Sequence, residues 1–200
     1  GKKLRVIHQS SPPLSTPRVP SARWFEICVA GHLRAEKDSL RPAYAAGLVP
    51  ETSNLRVVHL GKAGDDTWAR DARAEVARNP RYVWRGEVPG WQVRRQFARS
   101  HAMVISSVME GGANIVSEAI VCGVPVIASE IDGNVGLLGT DYEGYYPVKD
   151  ERALAEMLYR AETEPAFLRK LGAQCRTKRK LFTPAAEKTA WRQLIKDLGV

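Results

Sequence analysis

The stretch that decides the fold runs from Met103 to Gly123 and reads MVISSVMEGGANIVSEAIVCG. Its apolar start predicts a strand, the Gly-Gly pair predicts a turn, and residues 115–122 have the composition of a helix that ends at Gly123. Glycines let a backbone approach a ligand closely, and the free amides at a helix start attract phosphate. We therefore interpret this stretch as a phosphate-binding turn, although a Gly-Gly turn before a helix is also common for structural reasons alone.

Two carboxylates bracket the turn. Glu118 is the only charged residue of the predicted helix, where burial of an unpaired carboxylate would be costly. The vicinal hydroxyls of a ribose would satisfy both of its oxygens, whereas the plainer alternative is a surface glutamate that interacts with the helix dipole. Glu110 stands at the strand exit, with seven residues between it and Glu118. One carboxylate would then face a sugar and the other a ribose.

A candidate cation follows the first predicted strand, in the segment AGHLRAEKD at residues 30–38. Lys37 is predicted near the start of the next helix, at the same edge of the sheet as the phosphate-binding turn. There it could neutralise a diphosphate. A solvated helix lysine is the alternative, and the segment taken alone would favour it.

Short apolar runs alternate with helical stretches along the chain. This alternation predicts an α/β fold with an open, parallel, Rossmann-like sheet of about six strands, helices on both faces and a helical C-terminus. Ligands are expected at the carboxyl ends of the strands. The predicted strands are residues 25–30, 55–60, 82–84, 103–106, 124–128 and 144–148. The predicted helices are residues 37–48, 66–78, 91–99, 115–122, 151–163, 165–180 and 184–198, and the loop at 129–139 is left without an element.

Composition limits the classes of function. The 30 Lys and Arg residues against 22 Asp and Glu leave a charge of +8, which favours a nucleic acid, a membrane surface or a phosphorylated small molecule. No apolar run approaches the roughly 18–20 residues that a membrane span needs, and no signal-like segment is visible, so we expect a cytoplasmic protein. Cys28, Cys122 and Cys175 show no pairing or metal-ligand spacing and are interpreted as reduced packing residues.

A proline-rich stretch precedes the first predicted strand. Residues 10–21 contain four prolines, which disfavour helix and central strand and predict an extended connector. We therefore expect residues 1–22 to be a linker or the remnant of a preceding domain. Residues 23–200 would form the Rossmann-like domain.

Taken together, these segments resemble the nucleotide-sugar-binding domain of family 4 glycosyltransferases, over residues 24 to about 198. The likeness is carried by the Glu-x7-Glu pair of Glu110 and Glu118 and by the Glu-Ala-x3-Gly-x-Pro-Val arrangement that continues from Glu118 to Val126. The resemblance implies one half of a GT-B architecture, a UDP-sugar as donor substrate, no cofactor, and retention at the anomeric carbon. No Asp-x-Asp motif occurs in the chain, so no metal is expected.

The resemblance also implies roles for individual residues. Glu110 would be the catalytic carboxylate on the sugar hydroxyls, Glu118 would bind the ribose, and Lys37 and the turn amides would bind the diphosphate. The nucleobase would lie near Arg85 and Val88. The implied donor-binding residues are His32, Lys37, Arg85, Val88, Gly111, Gly112, Ala113, Asn114, Ile115 and Glu118.

His32 departs from the family pattern, in which a Gly-Arg-Leu segment and a following Lys contact the diphosphate. A neutral histidine donates one hydrogen bond but not a bidentate charge. Arg34 could compensate, the donor could be held differently, or the acceptor could itself be anionic. A narrower resemblance is to the selenosugar synthases of selenoneine biosynthesis, which would imply selenophosphate as acceptor. It is carried by His32 with Lys37, the Met-Glu-Gly-Gly-Ala-Asn stretch at 109–114, the loop at 133–139 and the Asp-Tyr-x-Gly-Tyr segment at 141–145.

Other functions stay open at this point. Basic runs at residues 176–180 and at Arg94, Arg95 and Arg99 could indicate nucleic acid. We interpret them as solvated helix surfaces, since both fall on predicted helices whose opposite faces are apolar and no aromatic platform is interleaved with them. An epimerase or phosphorylase could share the architecture, as could a non-catalytic nucleotide-sugar-binding module. A small-molecule acceptor would be held by an N-terminal domain, so we expect these 200 residues alone to bind nucleotide weakly and transfer nothing.

Overall fold

The computed structural model describes residues 5–198. In this range six parallel strands form one sheet in the order β3-β2-β1-β4-β5-β6. The strands are β1 (Phe25–Ala30), β2 (Leu55–Leu60), β3 (Tyr82–Trp84), β4 (Ala102–Ile105), β5 (Val126–Ser129) and β6 (Tyr145–Tyr146). The helices are α1 (Arg41–Leu48), α2 (Asp66–Arg78), α3 (Gly90–Arg99), α4 (Asn114–Val121), α5 (Asp132–Leu138), α6 (Glu151–Thr163), α7 (Pro165–Lys178) and α8 (Pro184–Leu198).

Helices cover both faces of the sheet. From β1 the chain adds β2 and β3 towards one edge of the sheet, and then crosses back to add β4, β5 and β6 towards the other edge. Because all crossovers are right-handed, the two directions place the connecting helices on opposite faces. Helix α6 packs against α1, and α7 packs against α4 and α5. Every residue of β4 and β5 is buried, which explains why these central strands read as unbroken apolar runs. The predicted fold class is confirmed.

The predicted helix at residues 37–48 is wrong at its start. Residues Ala35–Lys37 form a 3-10 turn, and Asp38 takes a left-handed conformation with φ of 44°. The α-helix begins only at Arg41, with Pro42 in its first turn, where a missing backbone N–H costs nothing. Lys37 therefore lies in a loop rather than on a helix.

Helix α5 was not predicted, because the two glycines of Asp132–Leu138 suggested a loop. Tertiary contacts form it. The buried Asn134 donates from Nδ2 to the Ser129 carbonyl at 2.8 Å, and Leu137 and Leu138 are buried in the core. A Cβ at Gly133 would lie 2.1 Å from the Glu110 carbonyl oxygen, so only glycine lets this helix approach the β4–α4 turn so closely.

The other boundaries differ from the sequence-based prediction by up to two residues. Strand β5 starts at Val126 rather than at residue 124, and the Pro125 carbonyl accepts from the Met103 amide at 2.8 Å. Helix α7 ends at Lys178 and passes into a 3-10 turn, Arg179–Phe182, whose Phe182 is fully buried. The expected division of the chain into residues 1–22 and 23–200 includes residues 1–4 and 199–200, which lie outside the described residues.

The proline-rich connector is extended and lies against the domain. The amides of Val19 and Ser21 donate to the carbonyls of Ala98 and Arg99 at 2.9 and 2.8 Å. Arg94 donates to the Pro12 and Pro13 carbonyls, so this arginine binds the connector rather than forming the solvated surface expected from the sequence.

Two glycines of α5 provide a matched test of the close approach. Gly133→Ala should lower the free energy of unfolding by more than about 2 kcal/mol, because the new Cβ meets backbone at Glu110. Gly136→Ala meets nothing within 4 Å, so it should raise this free energy by roughly 0.5–1 kcal/mol through helix propensity. Urea unfolding of both variants measures the difference. Equal effects of the two substitutions would contradict the packing described here.

Candidate donor-binding cleft

A cavity of about 480 Å³ opens at the carboxyl ends of the strands, around the point where the strand order reverses between β1 and β4. Open α/β sheets bind ligands at such a position. The loops after β1, β2, β3 and β4 all contribute to its walls. Its lining residues are Ala30, Gly31, His32, Lys37, Leu60, Gly61, Glu87, Val88, Val93, Glu110, Gly112, Ala113, Asn114 and Ile115.

The β4–α4 turn presents backbone amides to this cleft. Gly112 has φ of 136°, a conformation that side chains rarely adopt. Ala113 precedes α4 without a side-chain cap, and within residues 5–198 the amides of Asn114 and Ile115 have no acceptor. The positive end of α4 and its open donors therefore favour negative charge at this side of the cleft.

Lys37 and Glu110 meet in the cleft as an ion pair. Their side chains are 29% and 13% exposed, and Glu110 also accepts from the Ser107 hydroxyl at 2.8 Å. The two loops that carry them are joined nearby, because the Ser106 hydroxyl lies 3.1 and 2.9 Å from the carbonyls of Lys37 and Asp38. The cation predicted for the diphosphate is therefore held next to the carboxylate predicted for the sugar.

His32 lines the cleft as a neutral hydrogen-bond donor. Its Nδ1 accepts from the Lys62 amide at 3.2 Å, which places the ring proton on Nε2. Its own carbonyl accepts from the Ser39 hydroxyl at 3.0 Å. The ring can thus offer one N–H to a ligand, in agreement with the limited role expected of a histidine at this position.

His59 and Tyr82 support the loop that carries His32. The buried His59 ring contacts the Tyr82 hydroxyl at 2.7 Å through Nδ1 and the Gly31 carbonyl at 2.9 Å through Nε2. Since Nε2 donates to a carbonyl, Nδ1 accepts from the tyrosine. Neither residue was predicted from the sequence as part of the site, although a histidine inside an apolar strand was a detectable signal.

Glu118 lies one helical turn beyond Asn114, on the flank of the cleft. The side chain is half-buried, and in the described part of the chain its carboxylate has no hydrogen-bond or ion-pair partner. Burial raises the pKa of the Glu118 carboxyl, and the nearby Arg94 acts in the opposite direction. A half-buried carboxylate without a partner can accept hydroxyl donors from a ligand.

Arg85 and Val88, the two residues predicted near the nucleobase, line different cavities. Val88 lines the cleft together with Glu87 and with Val93 of α3. Of these three residues, only Val88 was a predicted site residue. The exposed Arg85 instead lines a second cavity on the sheet face next to α3. Gly111 is exposed beside the turn without lining the cleft. The remaining predicted residues, His32, Lys37, Glu110, Gly112, Ala113, Asn114 and Ile115, are brought together.

Residues 5–198 contain neither a metal-binding cluster nor a membrane-spanning helix. No group of three or more His, Cys, Asp or Glu side chains is arranged to hold a metal ion there. None of the helices in the same range is both long and apolar enough to cross a bilayer.

The chain belongs to the glycosyl transferases group 1, whose sequence model matches residues 25–163. TuaC of Bacillus subtilis (strain 168), named for a glycosyltransferase of teichuronic acid biosynthesis, is 34% identical over 83 residues. That match covers 42% of this chain and 21% of TuaC.

Solved structures share the fold at low sequence identity. HepE of Anabaena, crystallised in complex with UDP and glucose, superposes with a TM-score of 0.76 at 17% identity, over 89% of this chain and 49% of HepE. Sucrose-phosphate synthase of Thermosynechococcus elongatus superposes with a TM-score of 0.74 at 21% identity, over 90% of this chain and 46% of the synthase. The chain thus spans about half the length of these structures and corresponds to one half of a GT-B architecture.

The buried His59 predicts a pH dependence of stability. Burial lowers the pKa of His59 from 6.5 to about 4, although the hydrogen bond to Gly31 opposes the shift. The unfolded chain therefore binds a proton between pH 6.5 and 4 that the folded chain excludes. A contribution of about 3 kcal/mol should be complete above pH 6.5 and be lost as the pH falls towards 4.

Urea unfolding at several pH values from 7 to 4 measures this effect. His59→Gln should flatten the decline in the free energy of unfolding relative to the wild type, because glutamine cannot take up the proton. The same decline in both proteins would show that another group is responsible.

Proposed function

We propose that this domain binds a UDP-sugar in the cleft at the β1 and β4 ends and holds it for transfer of the sugar to an acceptor. The observation that carries the proposal is the meeting of Lys37, Glu110 and the open α4 amides at one cavity, with the unpartnered Glu118 one turn away. Family membership supports a transferase, and HepE, with the same fold, was crystallised with UDP and glucose.

The distribution of charge in the cleft suggests an order for the parts of the ligand. The diphosphate binds the amides of Gly112 to Ile115 and the Lys37 ammonium, with one further hydrogen bond from His32 Nε2. The ribose hydroxyls bind Glu118, and the base lies against Val88 and the loop after β3. A diphosphate that competes for Lys37 leaves Glu110 free to accept hydrogen bonds from the sugar.

The chemistry then requires stabilisation of the leaving UDP. As the bond to the anomeric carbon breaks, negative charge grows on the diphosphate, beside Lys37 and the positive end of α4. Donors held in place before the reaction stabilise such charge most effectively. The chain's own cation and amides serve this purpose, so the proposed mechanism uses neither cofactor nor metal, and retention at the anomeric carbon follows from the family resemblance.

The acceptor is proposed to bind to a further domain of the enzyme. An exposed stripe on α8 supports this, because Trp191, Ile195 and Leu198 are 51%, 48% and 69% exposed and lie on one helix face. Residues 5–22 would be the linker from that domain, and Arg5 lies beside α8 in an ion pair with Asp197 at 2.5 Å. The positive net charge of the chain and the neutral His32 in place of a cation are both compatible with an anionic acceptor. Selenophosphate is the anionic acceptor that the narrower family resemblance implies.

Glu118→Gln should weaken UDP binding by roughly 10- to 100-fold, because hydrogen bonds to a charged group contribute about 1.5–3 kcal/mol. Titration calorimetry with UDP and with 2′,3′-dideoxy-UDP tests the contact itself. The wild type should prefer UDP, and the variant should lose most of that preference. Glu156→Gln, an exposed carboxylate on α6, is the matched control. An equal preference for UDP in wild type and Glu118→Gln would refute ribose recognition by Glu118, and tighter binding of GDP than UDP would refute the choice of base.

Lys37→Met should weaken UDP binding by a similar factor while leaving uridine binding within about two-fold, because only the diphosphate contacts the ammonium. Lys188→Met, an exposed lysine of α8, controls for the loss of one positive charge. Equal losses for uridine and UDP in Lys37→Met would indicate that the lysine acts through the fold instead.

A further inference from the structure

A second cavity, of about 510 Å³, lies on the sheet face between β1, β2 and α3. Five arginines line it, and we call it the arginine pocket. It shares only Leu60 with the lining of the donor cleft, so the two cavities are neighbours with separate walls. Its arginines are Arg23, Arg56, Arg85, Arg95 and Arg99.

The positive charge of the arginine pocket is poorly balanced. Glu26 is the one acidic residue in its lining, and its side chain is only 7% exposed. This carboxylate accepts from Gln96 Nε2 at 2.6 Å, and Arg99 Nε lies 3.9 Å away. Across residues 5–198 the other four guanidinium groups have neither a hydrogen bond nor an ion pair. Four unneutralised charges around one cavity attract anions strongly.

Trp24 contacts two of these arginine side chains and holds them in place. The guanidinium carbons of Arg23 and Arg56 lie 5.2 and 5.4 Å from the centroid of the Trp24 ring, within cation–π distance. The Nε of Arg56 is buried and has no partner among the described residues. The terminal amino groups of Arg56, which also have no partner among the described residues, are the donors of this side chain that an anion in the cavity can reach.

The shape and chemistry favour a small phosphorylated ligand. The volume falls within the roughly 300–1,000 Å³ range of small-molecule sites. Guanidinium groups match phosphate oxygens with paired donors, and the 61% exposed Trp91 offers a flat apolar surface beside them. Trp24, which directly precedes β1, and Trp91, in the first turn of α3, line the same cavity as Arg95 and Arg99.

We propose that the arginine pocket binds a small molecule with two or more phosphate charges, either an inorganic oligophosphate or a phosphorylated sugar, independently of the donor cleft. The arginines supply the charge, Trp24 orients two of them, and Trp91 packs against the uncharged part of a sugar ligand. The site adds a second ligand to a domain whose proposed function requires only one.

The test follows the indole N–H signals of Trp24 and Trp91 by NMR during titration with inorganic pyrophosphate and, separately, with glucose 1,6-bisphosphate. The full 200-residue chain is used, and each titration is run once without UDP and once at saturating UDP. The first run avoids competition by the diphosphate of UDP for the arginine pocket, and the second keeps the donor cleft occupied. Both signals should shift saturably with at least one probe. Shifts with pyrophosphate alone would identify an inorganic oligophosphate as the ligand. Tighter binding of glucose 1,6-bisphosphate would identify a phosphorylated sugar.

Arg56→Gln should weaken this binding at least about ten-fold, as expected for loss of a charged hydrogen-bond donor. The double variant Arg23→Gln/Arg95→Gln changes only exposed side chains and tests the same site with little risk to folding. The double variant Arg73→Gln/Arg169→Gln, on exposed positions of α2 and α7, removes the same charge elsewhere and should bind as the wild type does.

Three outcomes would overturn the proposal. They are unshifted Trp24 and Trp91 signals at millimolar concentrations of both probes, equal weakening in all three variants, and binding of single-stranded RNA but of neither probe. If UDP itself fails to bind, the titration without UDP is sufficient. The Trp24 and Trp91 signals still report on the arginine pocket, so failure of the donor-site proposal is distinguished from failure of this one.

Discussion

The Lys37–Glu110 ion pair joins the two loops on which the donor cleft depends. Lys37 sits at the end of a 3-10 turn after β1, and Glu110 sits in the turn after β4. Both side chains are largely shielded from water, so loss of either partner would leave a partly buried charge without compensation. The Ser106 hydroxyl also joins these two loops, because it lies within hydrogen-bond distance of the Lys37 and Asp38 carbonyls. The distance between the loops is therefore set by the fold before a ligand binds.

A second group of contacts fixes the opposite wall of the cleft. His59 binds the Gly31 carbonyl, and a Cβ at Gly61 would lie 1.9 Å from that same oxygen. The Gly61 amide donates to the Gly86 carbonyl at 2.7 Å, and Trp84 Nε1 donates to the Gly61 carbonyl at 2.8 Å. The ends of β1, β2 and β3 therefore support one another before any ligand arrives, which lowers the cost of ordering the site on binding.

The net charge of +8 is unevenly placed in the folded chain. In the donor cleft Lys37 is already paired with Glu110, and His32 contributes a neutral ring. The arginine pocket, in contrast, gathers five arginines around a single buried carboxylate. The composition indicated a nucleic acid, a membrane surface or a phosphorylated small molecule as partner. The structure locates the larger excess of positive charge beside the proposed donor site rather than within it.

The sequence could predict the features that depend on local order along the chain. The alternation of apolar runs and helical stretches predicted the parallel sheet, because buried parallel strands must be apolar throughout. The glycines and carboxylates between residues 110 and 118 predicted the turn and its ligand chemistry, since backbone freedom and free helix amides follow from residue type. Glu110, Gly112 and Lys37 were predicted at one edge of the sheet in this way, and in the fold they line one cavity.

Tertiary structure decided what depends on residues that are distant in the chain. Helix α5 forms although its glycines disfavour it, because its apolar residues reach the core and Gly133 fits against Glu110. The pairing of Lys37 with Glu110, the support of Gly31 by His59 and the gathering of arginines around Trp24 leave no local pattern in the sequence. Each arises where strands far apart in sequence become neighbours in the sheet, and only the folded chain sets those distances.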